Sequence, residues 1–283
     1  VNYRKLGSTF VLSTALASSL LFGSVAHAED APNAVVSPES IQVVKSEIQD
    51  LNQDLGSLSV EQNNDRLAEI KEQNPAAFDA YAQQIDEEIL SKLNAAFDST
   101  MTSYPSPDAQ TKSATVDLSD GGTATITIED KEEVDPHPDP EPTVPIDKGG
   151  PQYILKGYMG WPTVKHGART FTAHYAINHT LYPDTHMYLR KWYNVGDSGI
   201  KVTSTSKAGT EAWYPNVISG STKTVDKYAQ KDGYDVNTQG DYHYSVFAKG
   251  SPIRSRDYTI YNTIKLVDNH SSSAELFIHY EVY

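Results

Sequence analysis

The chain contains no cysteine among its 283 residues. That excludes thiol catalysis, zinc–thiolate sites and iron–sulfur clusters, each of which needs the sulfur as nucleophile or ligand. It also removes the disulfides on which small exported domains often depend. The fold must therefore be held by its core, or by a metal. A Gly-x-Ser-x-Gly elbow, a phosphate-binding loop, a Gly-x-Gly-x-x-Gly turn and a His-Glu-x-x-His helix are missing too. The commonest signatures of acyl transfer, nucleotide binding and metalloprotease chemistry are thereby absent. After the first thirty or so residues there is no apolar run long enough to cross a bilayer.

The beginning of the chain carries an export signature. Arg4 and Lys5 precede an apolar run from Phe10 to Phe22, followed by Ala26-His27-Ala28. A basic start, a short apolar centre and an Ala-x-Ala site are the parts of a secretory signal peptide, with cleavage expected after Ala28. The leading Val reads as a non-AUG start codon and points to a bacterial gene. The expected location is extracellular, as a secreted protein.

Charge divides the remainder. Residues 29–150 hold 26 acidic against 7 basic side chains, and residues 151–283 hold 11 against 14. Tyrosine is just as uneven, with 15 of 18 after residue 150, along with all three Trp. This asymmetry predicts two modules.

The first, residues 29–100, reads as an acidic helical segment. Ser37 before Pro38 and Glu39 is an N-cap followed by a helix-starting proline. Ile41, Val44, Ile48, Leu51 and Leu55 follow at helical spacing. A second stripe runs through Phe78, Tyr81, Ile85, Ile89, Leu93 and Phe97, with Leu67 and Ile70 marking a weaker helix between them. In residues 101–150, alternation on both sides of Asp120-Gly121-Gly122 predicts a β-hairpin, and five prolines among acids over 131–150 predict an extended linker.

Residues 151–283 read as an all-β domain, an antiparallel sandwich or barrel, with turn chemistry at short intervals. Its last two strands are the clearest. Tyr258, Ile260, Ile264 and Leu266 share one face, as do Leu276, Ile278, Tyr280 and Val282. The fold class expected for the whole chain is thus multidomain: a small α segment, a Pro-rich linker and a C-terminal all-β domain, divided near Gly149-Gly150.

The stretch from Phe171 to Tyr193 concentrates histidines and aromatics. With Tyr182-Pro183-Asp184-Thr185 as its turn, His179 and His186 meet near the tip with Asp184 beside them, and His174 points away. Lys191, Tyr193, Met187 and Leu189 then face away from Phe171, Tyr175 and Ile177. The tip is read as a metal or acid–base site on His179, His186 and Asp184, or as cross-strand aromatic packing; the packing is favoured. His243, beside Asp241, is a further candidate base. No cofactor is required, and a metal is not excluded.

The aromatic load exceeds what one core of this size calls for. Tyr and Trp favour places with one apolar and one wet side, so Trp161, Trp192, Trp213 and Tyr188 are the candidate binding residues. The Ser/Thr-rich residues 201–211 read as a solvated edge rather than a pore-forming hairpin. Mild positive charge in the β domain suits an anionic cell wall or lipid, while no Lys/Arg stripe marks a nucleic-acid surface. The expected partners are the cell wall, glycan or membrane surface of a target cell, and the chain's own acidic segment. That segment is read as a pro-region, removed by cleavage around Lys148 and Gly150. The leading expectation is a secreted, antibacterial or toxin-like surface binder. The alternatives are a secreted hydrolase using the His/Asp or metal site, and an adhesion or matrix protein.

Overall fold

The computed structural model describes residues 36–54, 56–100, 111–136 and 163–283. The expected signal peptide with Ala28, and the linker with Lys148 and Gly150, lie outside the described residues, as does Trp161.

Three helices come first: α1 (Pro38–Gln53), α2 (Val60–Gln73) and α3 (Pro75–Thr100). Ser37 caps α1, its side chain accepting from the Ser40 N–H. A reciprocal Ser59–Gln62 capping box starts α2. The apolar stripes go where their spacing directs them: Val44, Ile48 and Leu51 of α1, and Phe78, Tyr81, Ile85, Ile89 and Leu93 of α3, are buried. Burial of each such large side chain contributes about 1.5–3 kcal/mol.

The remainder is mostly strand, arranged as two antiparallel sheets. The first runs in the order β1 (Thr111–Asp117), β2 (Thr123–Glu132), β4 (Gly167–His179), β5 (Tyr182–Gly196), β6 (Gly199–Ser206) and β8 (Tyr228–Ala229). The second is β3 (Thr163–Lys165), β11 (Ser273–Val282), β10 (Ser251–Asn269), β9 (Asp235–Ala248) and β7 (Val217–Asp226). The closing hairpin pairs as its alternation implies, with Ile260 opposite Val282, Ile264 opposite Ile278 and Leu266 opposite Leu276. Tyr175 of the first sheet meets Tyr258 of the second edge-on at 6.0 Å, and Tyr182 meets Tyr244 at 5.1 Å. The two sheets therefore touch through tyrosine rings.

The expected seam near residue 150 does not divide the packing. The predicted hairpin forms, as β1 and β2, but β2 is a full sheet member: residues 123–132 pair with residues 169–178 of β4. Helical and sheet residues share one buried cluster, and Val36–Tyr283 is one compact unit. The linker expected from residue 131 also starts later. Lys131 and Glu132 lie in β2, and Asp135 accepts from the Thr203 and Ser204 hydroxyls at 2.7 and 2.6 Å. β8 pairs only with Ile200 and Lys201, so Thr203 and Ser204 lack a strand neighbour there, but Asp135 covers them and Ser204 is buried, so the expected solvated edge is not formed at these residues.

Buried polar groups tie helices to sheets. Arg254 of β10 reaches both carboxylate oxygens of Asp86 in α3 at 2.5 Å, and Tyr182 donates to the same carboxylate. Both charged side chains are almost wholly buried. Removing one partner of such a pair leaves an uncompensated charge and typically costs about 3–5 kcal/mol. Contact between the acidic front and the basic back thus includes buried ion pairs, Asp86–Arg254 and Asp130–Arg169.

Candidate binding site

The histidine stretch pairs in a different register from the one its proline suggests. The turn is Thr180-Leu181, with His179 opposite Tyr182, and the strands then pair Ala176 with His186 and His174 with Tyr188. Relative to the expected register the slip is odd-numbered, and side chains alternate with period two, so β5 turns over. Met187, Leu189, Lys191 and Tyr193 face the core with Phe171 and Tyr175, and Tyr188 lies on the outer face. The expected pairing of His179 with His186 is therefore not formed.

His179 is wholly buried. Its Nδ1 accepts from the Leu181 N–H at 3.0 Å, so the proton sits on Nε2, 3.0 Å from an oxygen of Asp120. Tyr81 of α3 donates to the same carboxylate, and Asn52 of α1 donates to the Asp120 carbonyl. Burial by itself would raise the Asp120 carboxyl, but His179 and Tyr81 outweigh it and hold it below the usual range. With no solvent path, this is a joint between helices and sheet.

His186 meets His174 instead. The His174 Nε2 lies 2.9 Å from the His186 Nδ1, and the His186 Nε2 lies 3.1 Å from Asp184. The Tyr188 ring stacks on His174 with centroids 4.1 Å apart. Burial, and the charge His186 can carry, push His174 down to about 4. No group of three or more His, Asp or Glu able to hold a metal occurs among the described residues.

His243 acquires partners that sequence did not name. Its Nδ1 lies 2.6 Å from Asp257, and its Nε2 lies 3.1 Å from the Ser245 hydroxyl. The order carboxylate–imidazole–hydroxyl is that of a serine-hydrolase triad, but its surroundings do not fit. Ser245 is only 7% exposed and its hydroxyl is shared with Ser255. The Asp257 side chain is 87% exposed, where water screens it from orienting an imidazole. Ser245 lies between two paired strands, opposite Val217 and Ser255, so its neighbouring N–H groups serve the ladder rather than an oxyanion. Asp241, the expected neighbour, is held by Gln239 and Thr259.

The tyrosines are mostly inside. Tyr175, Tyr182, Tyr193, Tyr242, Tyr244, Tyr258 and Tyr280 are buried, so the core takes up much of the tyrosine that the composition shows in excess. They line the core, and several hydroxyls are satisfied there by carboxylates or carbonyls: Tyr182 by Asp86, Tyr193 by Asp130, Tyr242 by the Tyr188 carbonyl. Trp192 is buried as well.

Among the described candidates, Tyr188 is half-buried, while Trp213 is exposed to solvent at 58%, beside Tyr214 at 79%. Both border an open groove of about 510 Å³ between the start of α2 and the β4–β5 end of the first sheet. Its walls include Ser59, Glu61, Asn63, Asn178, Pro183 and Asp184. The aromatic loop is pinned from beneath. The Asn216 N–H donates to the Trp213 carbonyl, and the Asn216 side chain accepts from buried Asn64 of α2 at 2.6 Å. Asn64 and Asn63 were not singled out by sequence reasoning. Adjacent asparagines inside a helix are a usable signal, because Asn side chains compete with the helical backbone and need another reason to be there. Comparison with protein families, curated proteins and solved structures finds no match for this chain.

Proposed function

We propose that the chain is an exported bacterial protein that binds the surface of a cell without catalysing a reaction there. In this reading it is an α-capped β-sandwich. One observation carries the proposal: two neighbouring aromatics, Trp213 and Tyr214, stand exposed on a loop held by the buried Asn64–Asn216 bond, at the mouth of an open groove. Exposed aromatics on a rigid support bind with little loss of conformational freedom. The environment of Ser245 and the separation of His179 from His186 favour binding over hydrolysis. The test is sedimentation of the purified full chain with intact bacteria, wall fragments and lipid vesicles. Co-sedimentation that drops in the Trp213→Ala/Tyr214→Ala double variant is expected. A chain that stays in the supernatant with all three overturns the proposal, and dye release from vesicles separates attack from binding.

A second reading, restraint of the sheets by the acidic helices, draws support from the Asp86–Arg254 pair, through which α3 covers Arg254 and Tyr182.

A further inference from the structure

We propose that the groove beside Trp213 is a saccharide subsite, and that it accepts neutral or amino-bearing sugars and rejects anionic polymers. This rests on the surface-binding reading and names the ligand for it.

A sugar ring offers an apolar C–H face and an edge of hydroxyl donors and acceptors. The exposed Trp213 ring provides a flat apolar platform for the first. For the second, the wall is rich in acceptors. Asn63 is 2% exposed, and its Nδ2 donates to the Thr180 carbonyl at 2.9 Å, which fixes the orientation of the amide. Its Oδ1 is buried and has no hydrogen-bond partner among the described residues. A buried carbonyl oxygen left this way costs about 1–3 kcal/mol, which favours a small turn of the Asn63 side chain that brings it to a donor in the groove. The carboxylates of Asp184 and Glu61 line the same groove, and Asp184 has a left-handed backbone, φ 41°, uncommon outside glycine. The volume falls within the range of about 300–1,000 Å³ typical of small-molecule sites.

The same wall argues against an anion. Among the described residues no Lys, Arg or His lines the groove, and its charged lining residues are Glu61 and Asp184. The positive end of α2 is offset, because the capping box already meets the Ser59 and Gln62 N–H groups and Glu61 places a negative charge in the first turn. A phosphate or carboxylate in the groove would face the like charges of Glu61 and Asp184, with only His186, behind the Asp184 carboxylate at 3.1 Å, to offset them. The mild positive balance of residues 151–283, which suggests an anionic wall polymer, is thus not expressed at this site.

The test titrates the full chain, by intrinsic fluorescence and calorimetry, with oligomers of N-acetylglucosamine, oligomers of glucosamine, cellulose-derived oligomers and inorganic polyphosphate. Saturable binding of at least one neutral or amino-bearing oligomer is expected, with none for polyphosphate. Trp213→Ala should weaken it about tenfold or more while thermal unfolding stays at the parent temperature, since the ring is mostly in solvent. Glu61→Gln should weaken a glucosamine oligomer more than a neutral one. Binding of polyphosphate in competition with the sugar, no response to any sugar, or Trp213→Ala binding as the parent does, would each overturn the subsite. A chain that still sediments with cells but fails these titrations loses the subsite and keeps the surface-binding reading. A chain that does neither loses both.

Discussion

Lys191 is the residue whose placement departs most from its chemistry. Its side chain is wholly buried in the core, and its Nζ has no hydrogen-bond partner among the described residues. The nearby Asp130 is already taken by Arg169 at 2.7 Å and by the Tyr193 hydroxyl at 2.7 Å. Burial pushes the Lys191 ammonium down to about 7, with Asp130 and Asp235 pulling weakly the other way. Between about pH 7 and 10 the unfolded chain therefore carries a proton here that the folded chain does not. Stability should rise with pH across that window; below it the cost of the buried charge is fully present and Lys191 adds no pH dependence. Above about pH 10 the unfolded-state tyrosines ionise ahead of the buried ones and reverse the trend. Urea unfolding across this range should show the rise in the parent chain. Lys191→Met should flatten it and be more stable at pH 7 by about 1–3 kcal/mol; an unchanged slope would place the charge elsewhere. Alternation put Lys191 outside because the turn had been set at Tyr182–Thr185, and one wrong turn reverses every residue of a strand.

At the level of elements, the helices and the hairpins on either side of the core follow local rules and were readable. The Ser37 cap, the α3 stripe, the hairpin around Asp120-Gly121-Gly122 and the closing β10–β11 pair all depend on neighbours within a few turns or one tight loop. What binds those elements together was not readable, and it makes the β1–β2 turn a sensitive point. Gly122 has φ 86°, and a Cβ there would lie 2.7 Å from the Asn178 carbonyl oxygen and 3.2 Å from the His179 Cα. Gly233 has nearly the same backbone, φ 87°, with open space around it. Gly233→Ala should cost only the left-handed strain, about 1–2 kcal/mol. Gly122→Ala adds a clash with backbone, and should cost about 3 kcal/mol or more and loosen the packing of the turn on β4. Chemical denaturation of the two variants makes the comparison; equal losses would mean the turn does not press on β4.

For the whole molecule, the consequence is that the front half is built in rather than laid on. Ten residues of β2 pair with β4, and α3 sends Asp86 to Arg254 beneath the surface. A chain cut once within residues 137–162 should therefore appear as two bands under denaturing conditions and still elute as one species under native conditions. High salt alone should not separate the halves, because a buried pair is screened far less than a surface one. Residues 151–283 eluting alone would show that the front half leaves on cleavage and would favour restraint. Surface binding or vesicle leakage that increases after cutting would favour it too.

By itself the sequence determined what depends on short range: two strongly amphipathic helices with a weaker one between them, the Ser37 start of the first, a run of antiparallel strands, and the absence of thiol chemistry. Tertiary structure decided which side of each strand is inside. It thereby placed Lys191 and His179 in the core, left Trp213 in solvent, and brought His243 to Ser245 and Asp86 to Arg254. The reason is physical. Caps and stripes are set by hydrogen bonds and side-chain spacing a few residues apart. Sheet register, and the partner of a buried charge, are set by contacts such as that from residue 86 to residue 254, for which local spacing carries no signal.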